Sequence, residues 1–451
     1  MPIQTPNMEK IISALRNSFA RGRVLVVGDI MLDRYVWGTV DRVSPEAPAP
    51  ILREHRQSIS AGGAGNVALN LAGLGLQVSL AGFVGNDERR RRLQEIFARH
   101  EIDTSAVVTL TDRATTTRTR LVAGHQHMIR LDEEDVSAIG QEDRERLRKA
   151  VLGALDSDAI VVSDYAKGVV TPSFCRQVIE AAADSSTSVL VKPGGADFSK
   201  YAGARVLTSN LPTLSRASGV PADRPDDLVD AARTFVDKLG LEFLLLTRRD
   251  AGMTLVSLDR TVHAPARARE VFDVSGAGDT VIAGITSALI GGFDDMQMLH
   301  FANLAASIVV GQIGTVAVDR TALLRVIHEG EGASAEILHS VDELLPLVER
   351  WRSNKRRVVY VQGTFDGVYA NDMHFLQDAA RQGDKLVVGI TTGASADLSG
   401  RRPQSSDGQL ERATVVASLT PVDAVVLCGA TNSPEWIDFL EPEVVLLGER
   451  P

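Results

Sequence analysis

The run Val-Phe-Asp-Val-Ser-Gly-Ala-Gly-Asp-Thr from Val271 to Thr280 sets a carboxylate directly behind a turn of small residues. Gly276, Ala277 and Gly278 allow a sharp turn that brings backbone N–H groups against a ligand. From Asp279 onward the sequence is apolar with helical spacing, so the turn opens a helix. Unpaired N–H groups and the positive end of the helix dipole favour an anion there, phosphate in particular. A carboxylate in the first turn can take the proton of a hydroxyl attacking a phosphoryl group held by the loop. Asp279 as base, Gly276, Ala277 and Gly278 as anion hole, and an alcohol in line are the parts of phosphoryl transfer. The same residues also suit a purely structural role, with Asp279 capping a buried helix.

These groups need a frame. Arg23 to Asp29 is a short apolar run ending in glycine and aspartate, the profile of a buried strand whose C-terminal end opens onto a site. Asp29 and Asp33 are then turn residues or carboxylates for sugar hydroxyls. Val40 to Ser60, with Pro45, Pro48 and Pro50, reads as an extended excursion or lid. In Ala61 to Gly75, Gly62, Gly63 and Gly65 permit close backbone approach, Asn66 offers an amide, and a small-residue helix follows. Gly63-x-Gly65-x-x-Ala68 also fits the loose dinucleotide fingerprint, yet Ile51 to Ser60 is too charged for the buried strand that fingerprint requires.

Apolar runs at Val78–Val84, Ala159–Ser163, Ser188–Lys192, Arg205–Thr208 and Phe243–Thr247 alternate with helical patterns, including Asp87–His100 and Pro172–Asp184. This alternation predicts a mainly parallel sheet covered by helices on both faces. Thr115–Arg120 and His127–Arg130 read instead as antiparallel strands. Their Arg118, Arg120 and Arg130 are either solvated or gathered to hold a phosphorylated substrate.

Composition narrows the classes. At 451 residues, two or three domains are expected, and 44% hydrophobic with 24% charged residues is ordinary for a soluble globular chain. A net charge of -10, from 58 acidic and 48 basic residues, gives no footprint for nucleic acid or an anionic membrane. Cys175 and Cys428 stand far apart and outline neither a disulfide framework nor a zinc site, and no metal-ligating cluster is expected. No apolar run reaches the roughly 18 residues that span a bilayer. Met1 to Arg21 lacks the profile of a secretion signal; Ile11, Ile12, Leu15 and Phe19 predict a short amphipathic helix. A cytoplasmic protein is expected.

Gly62-Gly63 with Asn66, and Gly276-Ala-Gly-Asp279, resemble the two signatures of the ribokinase-type (PfkB) carbohydrate kinases. Val26–Tyr35, Ser44–Pro48, Ile129–Asp132, Ser163–Gly168 and Phe301–Asn303 narrow the resemblance, across Arg23 to Arg320, to one bifunctional bacterial family. Its members phosphorylate heptose 7-phosphate at C1 and then adenylylate the product for lipopolysaccharide core synthesis. The resemblance implies a kinase using ATP and Mg2+, with Asp279 as base on the anomeric hydroxyl. It implies Asp33, Gly63, Asn66 and Lys167 at the sugar, and Asn210, Thr247, Gly252, Asn303 and Gly314 near ATP. It also implies a homodimer joined through the Val40–Ser60 excursion.

Two positions depart from the family pattern. Asn-x-x-Glu appears as Asn210-Leu-Pro-Thr213, and Asp-Pro-Lys appears as Lys192-Pro-Gly194. Losing one preorganised charge at a phosphoryl site costs about 10² to 10³ in rate. A weakened sugar-phosphate kinase and a non-catalytic binding protein that keeps the fold are therefore both consistent with the sequence.

Glu329 to Ser334 has linker composition, so domains are expected at 1–330 and 341–451, joined by 331–340. A helix is expected over Val341–Arg352. Arg357 to Asp366 then begins a second, smaller α/β unit of Rossmann type, with strands at Lys385–Thr391, Ala424–Leu427 and Val444–Leu447. Gly363–Asp366, Gly383–Gly389, Arg402-Pro403 and Glu411-Arg412 resemble the cytidylyltransferase-like domain of the same family. Where that family carries His-x-Gly-His this sequence has Tyr369-Ala-Asn-Asp372, and it ends at Pro451, short of the implied last helix. Asp372 would repel a triphosphate, and His374 on a helix faces elsewhere. An adenylyltransferase that no longer works is the expectation.

Overall fold

Strands form where the apolar runs are buried from both sides. In the computed structural model the described residues are 8–124, 126–185, 187–266, 273–312, 314–330, 336–338, 344, 347–348, 351–352, 356–365, 370–391, 406–417, 419, 421–428, 437 and 440–447. The chain divides into two compact units, Met1–Arg325 and Val326–Pro451.

In chain order the first unit contains β1 (Arg23–Gly28), β2 (Ile30–Val43), β3 (Pro50–Gly63), β4 (Gln77–Gly85), β5 (Asp103–Leu110), β6 (Thr117–Ala123), β7 (Gln126–Glu133), β8 (Ala159–Ser163), β9 (Ser188–Lys192), β10 (Val206–Asn210), β11 (Phe243–Thr247), β12 (Met253–Val256) and β13 (Thr261–Ala264). Nine of them make one sheet in the order β13-β12-β11-β10-β9-β8-β1-β4-β5. Pairing is parallel from β5 to β11 and antiparallel only at β12 and β13. Alternate strand residues point to opposite faces. Leu25, Val27, Ile160, Val162, Val189, Val191, Leu244 and Leu246 form one core with the helices Gln141–Gly153, Pro172–Asp184 and Pro225–Leu239. The opposite face meets the helices Ala64–Gly73 and Ala277–Ile290. The expected parallel sheet with helices on both faces is therefore present.

The prolines at 45 and 48 fall in the connection between β2 and β3, and Pro50 starts β3, where a missing N–H is tolerated. β2 is buried at its start and exposed at its end, so it leaves the core as it runs. With β6 and β7 it makes a four-stranded sheet in the order β3-β2-β6-β7, the lid. β7 is exposed at its first six positions. The expected N-terminal helix is shorter, Met8–Ser13, and continues as a π turn over Ala14–Ser18.

The second unit holds β14 (Glu336–Leu338), β15 (Val358–Gly363), β16 (Lys385–Thr391), β17 (Ala424–Cys428) and β18 (Val444–Leu447), all parallel in the order β14-β17-β16-β15-β18. One expectation is corrected here: 331–340 is not only linker. Its apolar Ile337-Leu338 pair forms β14 against Val425 and Val426, and Glu329-Gly330 ends the helix Arg320–Gly330. The helix expected over 341–352 lies largely outside the described residues, as do Val271, Phe272, Tyr369 and Arg402-Pro403.

Candidate active site

Gly276, with φ +81, is the residue from which the helix Ala277–Ile290 departs. A Cβ there would lie 2.7 Å from Asn66 Nδ2, so only glycine lets this loop rest on Asn66. Asp279 does not cap the helix, whose entry shows no side-chain cap bond. Instead its carboxylate, 2% exposed, accepts from three side chains. Asn66 Nδ2 lies at 3.0 Å, the Tyr165 hydroxyl at 2.8 and 2.9 Å, and Lys192 Nζ at 2.7 Å. A buried carboxylate gathered by three donors from three separate elements is the arrangement of a preorganised base.

Each donor is itself held. Asn66 sits in the first turn of the helix Ala64–Gly73, and its Oδ1 accepts from Asn70 at 3.2 Å. Asn70 Oδ1 in turn accepts from Thr280 Oγ1 at 2.9 Å and from the Val318 N–H at 3.0 Å. Gly63 has φ +61, and a Cβ there would be 2.2 Å from the Asp29 carbonyl, so glycine is what lets β3 close onto β1 at this point. Tyr165 stands on the loop after β8. Asp29 accepts from the N–H groups of Tyr165, Lys167 and Val169 at 2.7, 3.2 and 3.3 Å. Asp164 accepts from the Ala166 N–H and the Tyr201 hydroxyl, both at 2.7 Å, and from Lys200 Nζ at 2.5 Å. Burial raises the Asp29 pKa, with Asp164 adding to it and the three N–H groups opposing. Burial also raises the Tyr165 pKa well above its ordinary value, reinforced by the Asp279 charge, so the phenol remains a donor.

On the lid side, Asp33 of β2 accepts from Arg120 Nη1 and from Thr315 Oγ1, both at 2.9 Å. Gly62 abuts it, since a Cβ there would lie 2.6 Å from Asp33 Oδ2. The Tyr35 hydroxyl lies 3.1 Å from Thr315 Oγ1 and 3.5 Å from Asp273 Oδ2. Asp273 also takes the Ser275 and Gly314 N–H groups at 2.8 and 3.1 Å. Burial opposes the charge on Arg120, but Asp33, Tyr35 and Asp273 outweigh it and raise its pKa.

The three lid arginines share one face of the lid, Arg130 standing opposite Arg120 in register, but each has its own contact. Arg120 pairs with Asp33, and Arg118 lies over the Tyr165 ring, 5.0 Å from its centre, with its buried Nε–H unpartnered. Arg130, on exposed β7, pairs with its neighbour Asp132 at 2.9 Å. Lys167 Nζ pairs with Glu134 at 2.6 Å and meets Asp29 only through its backbone.

Asn210 and Thr247 end the adjacent parallel strands β10 and β11 in register, the edge where open α/β sheets take ligands. Asn210 Oδ1 caps the helix Leu211–Ser218 through the Thr213 N–H at 2.8 Å. The Thr213 hydroxyl accepts from Arg216 at 3.3 Å, and Thr247 Oγ1 donates to the Ser209 carbonyl at 3.4 Å. Gly252 precedes β12 with φ +93, and Asn303 Nδ2 donates to the carbonyls of Ala264 and Pro265 at 3.3 and 3.2 Å. Gly314, expected near the nucleotide, has Asp273 and Tyr35 as its neighbours. Among the described residues no group of three or more His, Cys, Asp or Glu could hold a metal. Mg2+ on a nucleotide takes one or two carboxylates together with phosphates, and Asn210 and Thr213 bring no carboxylate to this edge.

In the second unit, Asn371 and Asp372 lie in the first turn of the helix Ala370–Ala380, and His374 is exposed. Arg412 Nε donates to the Thr364 carbonyl at 2.8 Å and its Nη2 to the Thr391 carbonyl at 3.1 Å, joining the ends of β15 and β16.

Tyr35, Tyr165, Lys192, Asp273 and Thr315 belong to the first-unit network without having been singled out as site residues. For Lys192 the signal was available: a lysine ending the buried run Ser-Val-Leu-Val-Lys stands where sheet ligands bind.

Residues 21–322 match the pfkB family of carbohydrate kinases. The chain is 39% identical over 445 residues to the bifunctional protein HldE of Koribacter versatilis (strain Ellin345), covering 98% of this chain and 91% of that one. It is 40% identical over 431 residues to the bifunctional protein HldE of Paramagnetospirillum magneticum (strain AMB-1), covering 94% and 88%. In fold it is similar to Escherichia coli phosphofructokinase-2 solved with substrates and products, with TM-score 0.60 and 19% identity over 68% of this chain and 99% of that one. Arabidopsis thaliana ribokinase complexed with ribose and ATP gives TM-score 0.55 at 20% identity, with 68% and 99% covered.

Proposed function

The chain belongs to the pfkB family of carbohydrate kinases, and from that membership we propose that it transfers the γ-phosphoryl group of ATP to heptose 7-phosphate at C1. The observation that carries this reading is Asp279, buried at the entry of a helix and held by Asn66, Tyr165 and Lys192. In the proposed step Asp279 takes the proton of the anomeric hydroxyl, and that oxygen forms a bond to the γ-phosphorus. The bond from the γ-phosphorus to the bridging oxygen breaks, and its electron pair leaves on ADP. Gly276 and Gly278 offer their N–H groups to the phosphoryl charge, while the Ala277 N–H of the same turn meets the Val274 carbonyl at 3.2 Å. Mg2+ would travel with the triphosphate and screen its charge.

Heptose 7-phosphate is supported by the HldE relatives, whose likeness spans both units, and by the lid-side motifs that resemble that family. Arg118, unpaired and over Tyr165, suits an anionic substituent of the acceptor. The second unit is proposed to have lost adenylyl transfer, because Tyr369 and Asp372 stand where the family motif has its two histidines. A homodimer through the lid is supported by Ile59, Ile129 and Leu131, apolar and exposed on β3 and β7. The proposed setting is the cytoplasm, where ATP is at hand.

The test is ATP turnover with magnesium across heptose and hexose 7-, 6- and 1-phosphates. ADP release is expected with heptose 7-phosphate, without pyrophosphate from its 1-phosphorylated product. Nucleotide binding with no turnover on any sugar would instead identify a binding protein that has kept the fold.

A further inference from the structure

Lys192 ends β9, and its ammonium lies 2.7 Å from Asp279 Oδ1, 2.5 Å from the Tyr165 hydroxyl and 3.7 Å from the centre of the Tyr165 ring. Its stem lies along the glycine turn, since a Cβ on Gly278 would come within 3.3 Å of Lys192 Cε. Arg118 approaches the same ring to 5.0 Å, its Nε–H buried and without a partner. Lys192 contacts the Asp279 carboxylate and Arg118 lies on the same ring, so a second cation stands beside the Lys192–Asp279 pair, a local arrangement that suits an added anion.

In an in-line transfer the attacking oxygen is within hydrogen-bond reach of the base and about 3 to 3.5 Å from phosphorus. A cation in contact with that base, on the side of the glycine turn, is then within reach of the phosphoryl oxygens. An ammonium on a four-carbon stem can exchange one acceptor for another without backbone movement. A triphosphate offers it more charge than one carboxylate.

We propose that Lys192 is the phosphoryl-contacting cation of this site, resting on Asp279 until ATP enters and then turning to the γ-phosphoryl oxygens. Its departure frees Asp279 Oδ1 for the acceptor hydroxyl. Its charge stands in for the carboxylate-held metal that Thr213 does not organise. No bond forms or breaks at Lys192; its part is electrostatic. The proposal rests on the kinase reading for the identity of the anion.

Calorimetry of ATP and of ADP binding to the intact chain, Lys192→Met, Lys192→Gln and Lys192→Arg tests the contact without requiring turnover. The intact chain and Lys192→Arg are expected to prefer ATP over ADP. Met and Gln should each reduce that preference by about tenfold or more, the effect of a lost charge-assisted bond, with ADP affinity within about twofold. In turnover, Lys192→Met should lower kcat by about 10²-fold and move the sugar KM by less than about threefold. An ATP preference unchanged in both neutral variants would overturn the proposal and leave the kinase reading standing. So would a kcat that rises in Lys192→Met, which would make the ammonium a block on the base. Binding of neither nucleotide by the intact chain would overturn both readings.

Discussion

On the acceptor side, charge meets charge inside the protein: Arg120 on Asp33, Lys192 on Asp279 and Lys200 on Asp164. On the proposed nucleotide side, the polar groups of Asn210, Thr247 and Asn303 are committed to neighbouring backbone, and Thr213 to Arg216. Arg120 and Lys200 are fixed in place before any ligand arrives, because removing one partner of a buried pair is costly, whereas Lys192, on its flexible stem, is the one that can turn. The nucleotide side shapes a surface and brings little charge to it. The charge that would meet a triphosphate is therefore concentrated where the two sides join, at Lys192 and the entry of the helix Ala277–Ile290.

That junction is where the largest effect is expected. Asp279→Asn keeps the size of the side chain and removes the base shared by both sides. kcat for heptose 7-phosphate should fall by about 10² to 10⁴, the usual contribution of a general base. Turnover remaining within about tenfold would place the base elsewhere and dissolve the idea that the two sides converge on Asp279. Next in size is Arg120→Met, which leaves Asp33 buried beside Thr315 without its cation. Removing one partner of a buried pair costs about 3 to 5 kcal/mol. This should appear as a lower denaturant midpoint for the intact chain, and Asp33→Asn added to it should recover part of the loss. A midpoint unmoved by Arg120→Met would mean that the acceptor side is no more rigid than the nucleotide side.

The sheet was legible because its strands are apolar on both faces and bounded by glycine, proline and charge. Ala159–Ser163, Ser188–Lys192 and Phe243–Thr247 stand where periodicity puts them. β14 was missed because only Ile337 and Leu338 are apolar in a stretch otherwise small or charged, and the partner that makes them a strand, β17, lies far along the chain. Asp279 was legible as a candidate because its chemistry is local, a carboxylate behind a glycine turn, and the structure shows it buried among three donors. Tyr165 and Thr315 were not, since they reach the site only through tertiary contacts to Asp279 and Asp33. Type and spacing grouped Arg130 with Arg118 and Arg120, and the register does set it opposite Arg120, but they could not show that its guanidinium pairs with Asp132 on the exposed β7.

The smallest effect sharpens the contrast from the nucleotide side. Asn210→Ala removes the oxygen that accepts the Thr213 N–H and leaves a helix of eight residues, Leu211–Ser218, without its cap. Losing an Asn cap costs about 1 kcal/mol, well below the cost of a broken buried pair. Asn210 is exposed and carries no charge, so no ion is stranded when it is shortened. If this edge shapes the nucleotide surface, the KM for ATP should rise several-fold while kcat at saturating ATP and the sugar KM stay close to those of the intact chain. A fall in kcat as large as that of Asp279→Asn would mean that the β10 edge takes part in the transfer itself. The two sides would then have to be read as one preorganised unit. A rise in the ATP KM alone would support the division, with the acceptor side fixed by charge and the nucleotide side formed by backbone.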